Sequence, residues 1–121
     1  MNRKRVLVVD DDSNLCQLYQ EELGDEGYDV IVETDPAEAI RALERASPDV
    51  VVMDIWNPRM DGIEAMGRML CIRRDLTVIL NTAYSCYKDD FRTWPATAYV
   101  VKSSDLGELK SVIKRSLIPA A

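Results

Sequence analysis

The sequence predicts an α/β fold in which helices cover both faces of a five-stranded parallel sheet, and three observations predict it. Runs of three or four consecutive apolar residues, rich in β-branched side chains, recur along the chain and are typical of strands buried on both faces. Segments with apolar residues at helical spacing separate these runs. The chain has 121 residues, the length of one domain, so we expect a single domain over residues 1–121.

The first half of the chain is predicted to hold two strands and two helices. The first strand covers residues 6–9, and a helix follows for which Ser13 is a suitable N-cap. The apolar positions of this helix are Leu15, Leu18, Tyr19 and Leu23. The second strand covers residues 28–32. The second helix begins at Asp35-Pro36, because Asp caps helices and Pro suits the first helical position.

The second half continues the same alternation. Strands are predicted at residues 50–53, 78–80 and 99–101. The helix between the first two of these strands has its apolar positions at Ile63, Met66, Met69 and Leu70. Residues 84–94 are polar and aromatic without a clear helical period, and we expect only a short helix there.

The last predicted helix has Asp105 as its N-cap and ends near Leu117. Only residues 118–121 follow, so we expect no DNA-binding or enzymatic output domain in this sequence, which either acts alone or belongs to a longer protein. Five strand–helix pairs with right-handed crossovers favour three layers and the doubly wound, flavodoxin-like strand order 2-1-3-4-5. Ligands of such sheets bind beyond the carboxyl ends of the strands.

Polar side chains that suit one chemistry follow four of the predicted strands. Asp10 and Asp11 follow the first strand, Asp54 the third, Thr82 the fourth and Lys102 the fifth. Each of these residues alone is commonly a cap, a turn residue or a surface lysine. Converging carboxylates repel one another unless a cation joins them, and Mg²⁺ prefers carboxylate, water and phosphate oxygens. The set therefore predicts a magnesium and phosphate site.

Composition excludes several classes of function. The formal net charge is −6, which makes a nucleic-acid-binding surface unexpected. The absence of histidine excludes Ser/His and Cys/His catalysis and histidine-ligated metal sites. The three cysteines have no metal-ligand spacing, which favours a reducing compartment. No apolar run approaches the ~20 residues that span a bilayer, so we expect no membrane segment and a cytoplasmic location.

Two other motifs use the same acidic residues. An EF-hand loop would use Asp10, Asp12, Asn14 and Glu21. However, Leu15 stands where that loop needs glycine, and a strand precedes it instead of a helix. Asp10 and Asp12 also form the D-x-D of haloacid-dehalogenase-type phosphatases, although the chain is short for the later motifs and the cap of that family.

Five short segments occur in a fixed order along the chain. They are residues 8–11 (VVDD), 53–54 (MD), 57–62 (NPRMDG), 82–83 (TA) and 99–102 (YVVK). Together they resemble a response-regulator receiver domain of the single-domain, chemotaxis-regulator kind, and the resemblance covers essentially the whole chain.

The resemblance implies that Asp54 accepts a phosphoryl group from a phosphohistidine on a sensor histidine kinase or a phosphotransfer protein. It also implies that Mg²⁺ is the cofactor, bound by Asp11, Asp54 and the backbone carbonyl of Trp56, with Asp10 assisting through water. A carboxylate nucleophile that forms an acyl phosphate is an established covalent strategy. We expect no turnover enzyme, because such a domain takes part only in its own phosphorylation and dephosphorylation.

The resemblance assigns the remaining roles to three residues. Thr82 hydrogen-bonds the phosphoryl oxygens, Lys102 pairs with them, and Tyr99 is the aromatic that changes rotamer on phosphorylation. The expected output is altered contact with a downstream effector protein. The alternative is a degenerate receiver that acts only as a protein-binding module, because a fold does not fix a function.

The sequence departs from the family pattern at three places. Ser103 follows Lys102 where the family usually has a proline, commonly after a cis bond, so the isomer of this bond stays open. Asn57 replaces the usual methionine before Pro58. The segment before the last strand is short and rich in aromatic residues, namely Tyr84, Tyr87, Phe91 and Trp94, with Tyr99 beyond them. These side chains either pack under a short helix or form a surface for a partner or a second copy.

Overall fold

The computed structural model describes residues 3–118, without the side chains of Cys86 and Tyr87. Five parallel strands form one sheet in the order β2-β1-β3-β4-β5, which confirms the predicted fold. The strands are β1 (Arg5–Val9), β2 (Asp29–Glu33), β3 (Val50–Met53), β4 (Thr77–Thr82) and β5 (Ala98–Val101). The helices are α1 (Ser13–Asp25), α2 (Pro36–Ala46), α3 (Gly62–Ile72) and α4 (Gly107–Ser116).

The core lies in two layers, one on each face of the sheet. Along β1, Leu7 and Val9 pack on the side of α2 and α3, whereas Val6 and Val8 pack on the side of α1 and α4. Successive side chains of a strand point to opposite faces, which explains why residues 6–9 of β1 and residues 50–53 of β3 are apolar at every position. Within residues 3–118, no helix is long and apolar enough to cross a bilayer.

The helix caps differ from the predictions at two positions. Asp12, not Ser13, caps α1, since its carboxylate accepts hydrogen bonds from the backbone N–H groups of Asn14 and Leu15 at 3.0 and 3.2 Å. Ser13 is the first helical residue. Asp is as good a cap as Ser, so the local sequence leaves the choice open by one residue. Asp35, in contrast, caps α2 as predicted.

The start of α4 also differs by one residue. Leu106 occupies the N-cap position and makes no side-chain cap bond, so the assignment of Asp105 as the cap is wrong. The Asp105 carboxylate still accepts a hydrogen bond from the N–H of Gly107 at 2.9 Å. Of the predicted tail at residues 118–121, only Ile118 lies within the described residues.

The segment between β4 and β5 contains no α-helix, so the fourth strand–helix pair is incomplete. Two 3₁₀ helices, Cys86–Asp89 and Phe91–Thr93, take its place. The Asp90 side chain caps the second one by accepting the N–H of Arg92 at 3.0 Å. Pro95 follows the C-cap residue Trp94 and has no backbone N–H to donate to a further helical turn, which limits the length of this helix.

Candidate functional site

Three carboxylates meet at the carboxyl edge of the sheet. β1 and β3 are neighbours, so Asp10 and Asp54 follow adjacent strand ends, and the N–H of Asp54 donates to the carbonyl of Val9 at 3.0 Å. Asp10, Asp11 and Asp54 each place a carboxylate oxygen within 4.8 Å of the others. Asp10 is 2% exposed and Asp54 9% exposed, whereas Asp11 is half-buried.

One ammonium group partly compensates this charge. The Nζ atom of Lys102 lies 2.7 Å from Oδ2 of Asp10 and 2.9 Å from Oδ2 of Asp54. No cis peptide bond occurs among the described residues, so Lys102 reaches both carboxylates with a trans bond to Ser103. Serine at position 103, where the family usually has proline, therefore still allows Lys102 to lie in the site.

The pKa values of the paired groups reflect burial and charge. Burial raises the pKa of Asp10, although hydrogen bonds from Lys102 and from the N–H of Asp12 oppose this shift. Burial acts to lower the pKa of Lys102, but the hydrogen bonds and negative charges of Asp10 and Asp54 outweigh it and raise that pKa. The ammonium group is thus charged throughout the neutral range.

Thr82 brings an unsatisfied hydroxyl to the same edge. It is fully buried, and its backbone carbonyl accepts the N–H of Lys102 at 2.8 Å. Its Oγ1 atom has no hydrogen-bond partner and, among the described residues, is the single such buried side-chain atom. A buried polar group without a partner costs free energy, so this hydroxyl suits a ligand that supplies an acceptor.

Two backbone N–H groups hold the loop after Asp54. The N–H of Trp56 donates to Oδ1 of Asp54 at 3.2 Å, while the Trp56 ring is exposed. The N–H of Gly62 donates to the carbonyl of Ile55 at 2.7 Å. A Cβ atom on Gly62 would lie 2.2 Å from the carbonyl oxygen of Asp54, so glycine permits α3 to start against the site.

Asn57 has a structural role that its sequence position did not indicate. Its side-chain amide donates to the carbonyl of Thr34 at 3.1 Å, and its side-chain oxygen accepts the N–H of Arg59 at 3.0 Å. These bonds connect the loop after β3 to the segment after β2. Where the family pattern has a methionine, this chain therefore has a nearly buried, hydrogen-bonded amide.

Asp12 does not join the carboxylate cluster. It is exposed and its side chain caps α1. An EF-hand loop and a D-x-D phosphatase motif both need this carboxylate beside Asp10 in the site. The position of Asp12 therefore fits neither an EF-hand loop nor a D-x-D phosphatase motif.

The aromatic segment is largely exposed. Phe91 and Trp94 are 70% and 71% exposed, and Tyr84 is also exposed, so packing under a helix does not describe these three. Tyr99 is half-buried, and its hydroxyl donates to the backbone carbonyl of Tyr84. The predicted Tyr87 side chain lies outside the described residues.

Comparison with known proteins decides the family. Residues 6–114 match the family model described as the response regulator receiver domain. The chain belongs to the response-regulator receiver family. A receiver domain is a signalling module of two-component systems, and this is the general function of the chain.

Two curated relatives illustrate this membership. The alkaline phosphatase synthesis transcriptional regulatory protein PhoP of Bacillus subtilis is 31% identical over 127 residues, which cover 97% of this chain and 51% of PhoP. The chain thus spans about half the length of that relative. Sporulation initiation phosphotransferase F of the same organism is 29% identical over 119 residues, with 97% of this chain and 96% of the relative covered.

One similar solved structure is the response regulator TrrA of Thermotoga maritima in complex with Mg²⁺-BeF. It matches this chain with a TM-score of 0.91 and 40% sequence identity, and the match covers 94% of this chain and 99% of TrrA. TrrA is also known in complex with the histidine kinase ThkA, and that structure has a TM-score of 0.89. The receiver fold is therefore shared over nearly the whole length of both chains.

Proposed function

We propose that Asp54 is the phosphoacceptor of this receiver domain and that a histidine kinase or a phosphotransfer protein supplies the phosphoryl group. An oxygen of Asp54 attacks the phosphorus of a phosphohistidine, the P–N bond breaks, and the imidazole keeps the electron pair. The observation that supports this best is the placement of one nearly buried carboxylate beside both an ammonium group and an unsatisfied hydroxyl. The complex of TrrA with a histidine kinase supports the choice of donor.

The acidic cluster fits the magnesium ion that receiver chemistry uses. Three carboxylate oxygens within 4.8 Å of one another match the oxygen ligands that Mg²⁺ prefers. We infer that Asp10, Asp11 and Asp54 hold the ion together with the backbone carbonyl of Trp56, and that the ion neutralises charge during transfer. TrrA, solved with Mg²⁺-BeF, supports this ligand class.

Lys102 and Thr82 are assigned to the phosphoryl oxygens. Lys102 can keep its contact with Asp10 while its second contact passes from the Asp54 carboxylate to the new phosphoryl group. The Thr82 hydroxyl can donate the hydrogen bond that it lacks in the unphosphorylated protein. Phosphoryl transfer needs mainly positioning and charge neutralisation, and these two groups provide both.

The output is assigned to the exposed aromatic segment. Tyr99 holds the backbone of Tyr84, which lies two residues after Thr82, so a shift of Thr82 toward the phosphoryl group would disturb this contact. Exposed Phe91 and Trp94 lie in the same segment and suit a protein interface. We assign this face to contact with an effector protein or with a second copy of the chain. We propose that the protein acts in the cytoplasm, does not bind nucleic acid and does not turn over a substrate.

Labelling with acetyl phosphate and Mg²⁺, followed by intact mass measurement, tests the proposal. The protein should gain one phosphoryl group, and neither the Asp54→Asn variant nor a sample with EDTA should gain it. A folded protein that stays unlabelled would be a degenerate receiver. Steady hydrolysis of added phosphoesters would instead show a phosphatase.

A further inference from the structure

One buried polar pair joins α1 to β4 and is not part of the site described above. The side-chain amide of Asn81 donates to the hydroxyl of Tyr19 at 2.8 Å. Tyr19 is 1% exposed and Asn81 is 2% exposed. Asn81 follows three apolar, buried residues of β4, residues 78–80.

The pair connects the two elements that hold opposite sides of the site. Asn81 directly precedes Thr82, whose hydroxyl is unsatisfied. α1 begins two residues after Asp11, and the inner face of this helix also touches the acidic cluster through Cys16, whose thiol donates to the carbonyl of Asp10 at 3.2 Å. Burial raises the pKa of Cys16 to about 11, so the thiol keeps its proton.

The Tyr19 hydroxyl also lies within electrostatic reach of the site. Burial raises the pKa of this hydroxyl, and the hydrogen bond from Asn81 opposes the shift. The charge of Lys102 lowers the pKa, while the charges of Asp10 and Asp54 raise it. The Tyr19 hydroxyl is therefore close enough to the charged groups of the site to respond to their charge.

Stability alone does not account for a polar pair at this place. A buried amide must recover its lost hydration through hydrogen bonds, and two apolar side chains of similar shape are commonly as stable. The hydrogen bond also fixes the position of α1 relative to β4, because it requires Tyr19 and Asn81 to lie at one distance and orientation. A Phe and Val pair would fill the layer without fixing that register.

We propose that Tyr19 and Asn81 are positioning residues for phosphoryl transfer, holding the end of β4, and with it the Thr82 hydroxyl, in place relative to α1 and the acidic cluster. The inference rests on the proposed function. Asn81 and Thr82 point to opposite faces of the strand, so the bond on the α1 face holds the backbone that presents Thr82. The N–H of Lys102, the residue after β5, donates to the carbonyl of Thr82 and holds the same strand end.

Removal of the Tyr19 hydroxyl should impair phosphoryl binding but not metal binding. Asp10 and Asp54 are held by the pairing of β1 with β3, which does not involve Tyr19. Thr82 depends on the end of β4. We therefore expect Tyr19→Phe to slow labelling by acetyl phosphate, and to weaken beryllofluoride binding, by about tenfold or more, since small misplacements of positioned groups have effects of this size. The dissociation constant for Mg²⁺ should stay within about twofold.

Two further variants separate positioning from stability. The double variant Tyr19→Phe, Asn81→Val replaces the pair with apolar side chains and should recover the melting temperature lost in Tyr19→Phe, because no buried amide is left unpaired. The control Tyr28→Phe removes a hydroxyl from a tyrosine that packs against the same core layer. Tyr28 directly precedes β2, at the amino-terminal edge of the sheet, far from the site.

The measurement compares labelling rate, Mg²⁺ affinity and melting temperature in all four proteins at a temperature where each is folded. The proposal holds if Tyr19→Phe and the double variant both label slowly while Tyr28→Phe labels like the wild type. It is overturned if the double variant regains both stability and labelling rate, or if Tyr19→Phe labels normally. A wild type that takes no label at Asp54 would instead overturn the proposed function itself, and this inference with it.

Discussion

At the scale of single residues, the charge balance of the site depends on Lys102. Its ammonium group contacts two of the three clustered carboxylates, and its side chain is largely shielded from solvent. The raised pKa of Lys102 means that its stabilising contribution is complete below its ordinary value and is lost only as the pH rises through the raised value. The pairing is therefore intact at neutral pH.

We expect Lys102→Met to lower the free energy of unfolding by about 3 kcal/mol without Mg²⁺, because two buried carboxylates lose their counter-charge. Addition of Mg²⁺ should recover much of this loss, since the ion replaces the ammonium charge. The matched control is Lys110→Met, which removes only the contacts with Glu22 and Glu26 at 3.6 and 3.5 Å and should cost under about 1 kcal/mol. Urea unfolding with and without Mg²⁺ measures each effect.

The pH dependence of the Lys102→Met variant has a definite sign. Burial raises the pKa of Asp10, so its ionisation costs stability as the pH rises through that value. Without Lys102 this cost is larger, and the variant should regain stability relative to the wild type as the pH falls toward about 4, the ordinary carboxyl range. A gap between the two proteins that widens on acidification would show that the carboxylates are not the source of the loss.

At the scale of elements, the start of α3 fixes the loop that carries Asp54. We expect Gly62→Ala to lower stability by about 2 kcal/mol or more, because the new Cβ would meet backbone atoms of Asp54 and Ile55 at 2.2 and 2.7 Å. The labelling rate at Asp54 should fall as well. Gly67→Ala is the matched control in the same helix: it has open space and should raise stability by up to ~1 kcal/mol. Equal melting temperatures for both variants would contradict the close approach.

The segment between β4 and β5 should respond to phosphorylation. Two 3₁₀ helices of four and three residues protect few amides, so residues 83–97 should exchange hydrogen faster than β4 or α3. Beryllofluoride with Mg²⁺ should change the exchange of residues 84–99, because Thr82 and the Tyr99–Tyr84 contact adjoin this segment. The Asp54→Asn variant should show no such change. Changes confined to the loops after Asp11 and Asp54 would place the output on another face.

At the scale of the whole molecule, the sequence is sufficient to predict the strand order and the convergence of charged side chains at one edge of the sheet, because both follow from where the buried strands lie and end. Each buried strand is visible as an apolar run, and parallel order then brings Asp10, Asp54 and Lys102 to one edge. Local pattern could not supply the Tyr19–Asn81 bond, since the partners lie 62 residues apart and each looks like an ordinary element residue.

Site mapping shows whether Asp54 accepts the phosphoryl group in a Mg²⁺-dependent reaction. The protein is treated with acetyl phosphate and Mg²⁺, and the acyl phosphate is then reduced with borohydride, which converts a labelled aspartate to homoserine. Peptide mass spectrometry locates that residue. We expect homoserine at position 54 alone, and none when EDTA replaces Mg²⁺. Homoserine at position 10 or 11, or none anywhere in the folded protein, would contradict it.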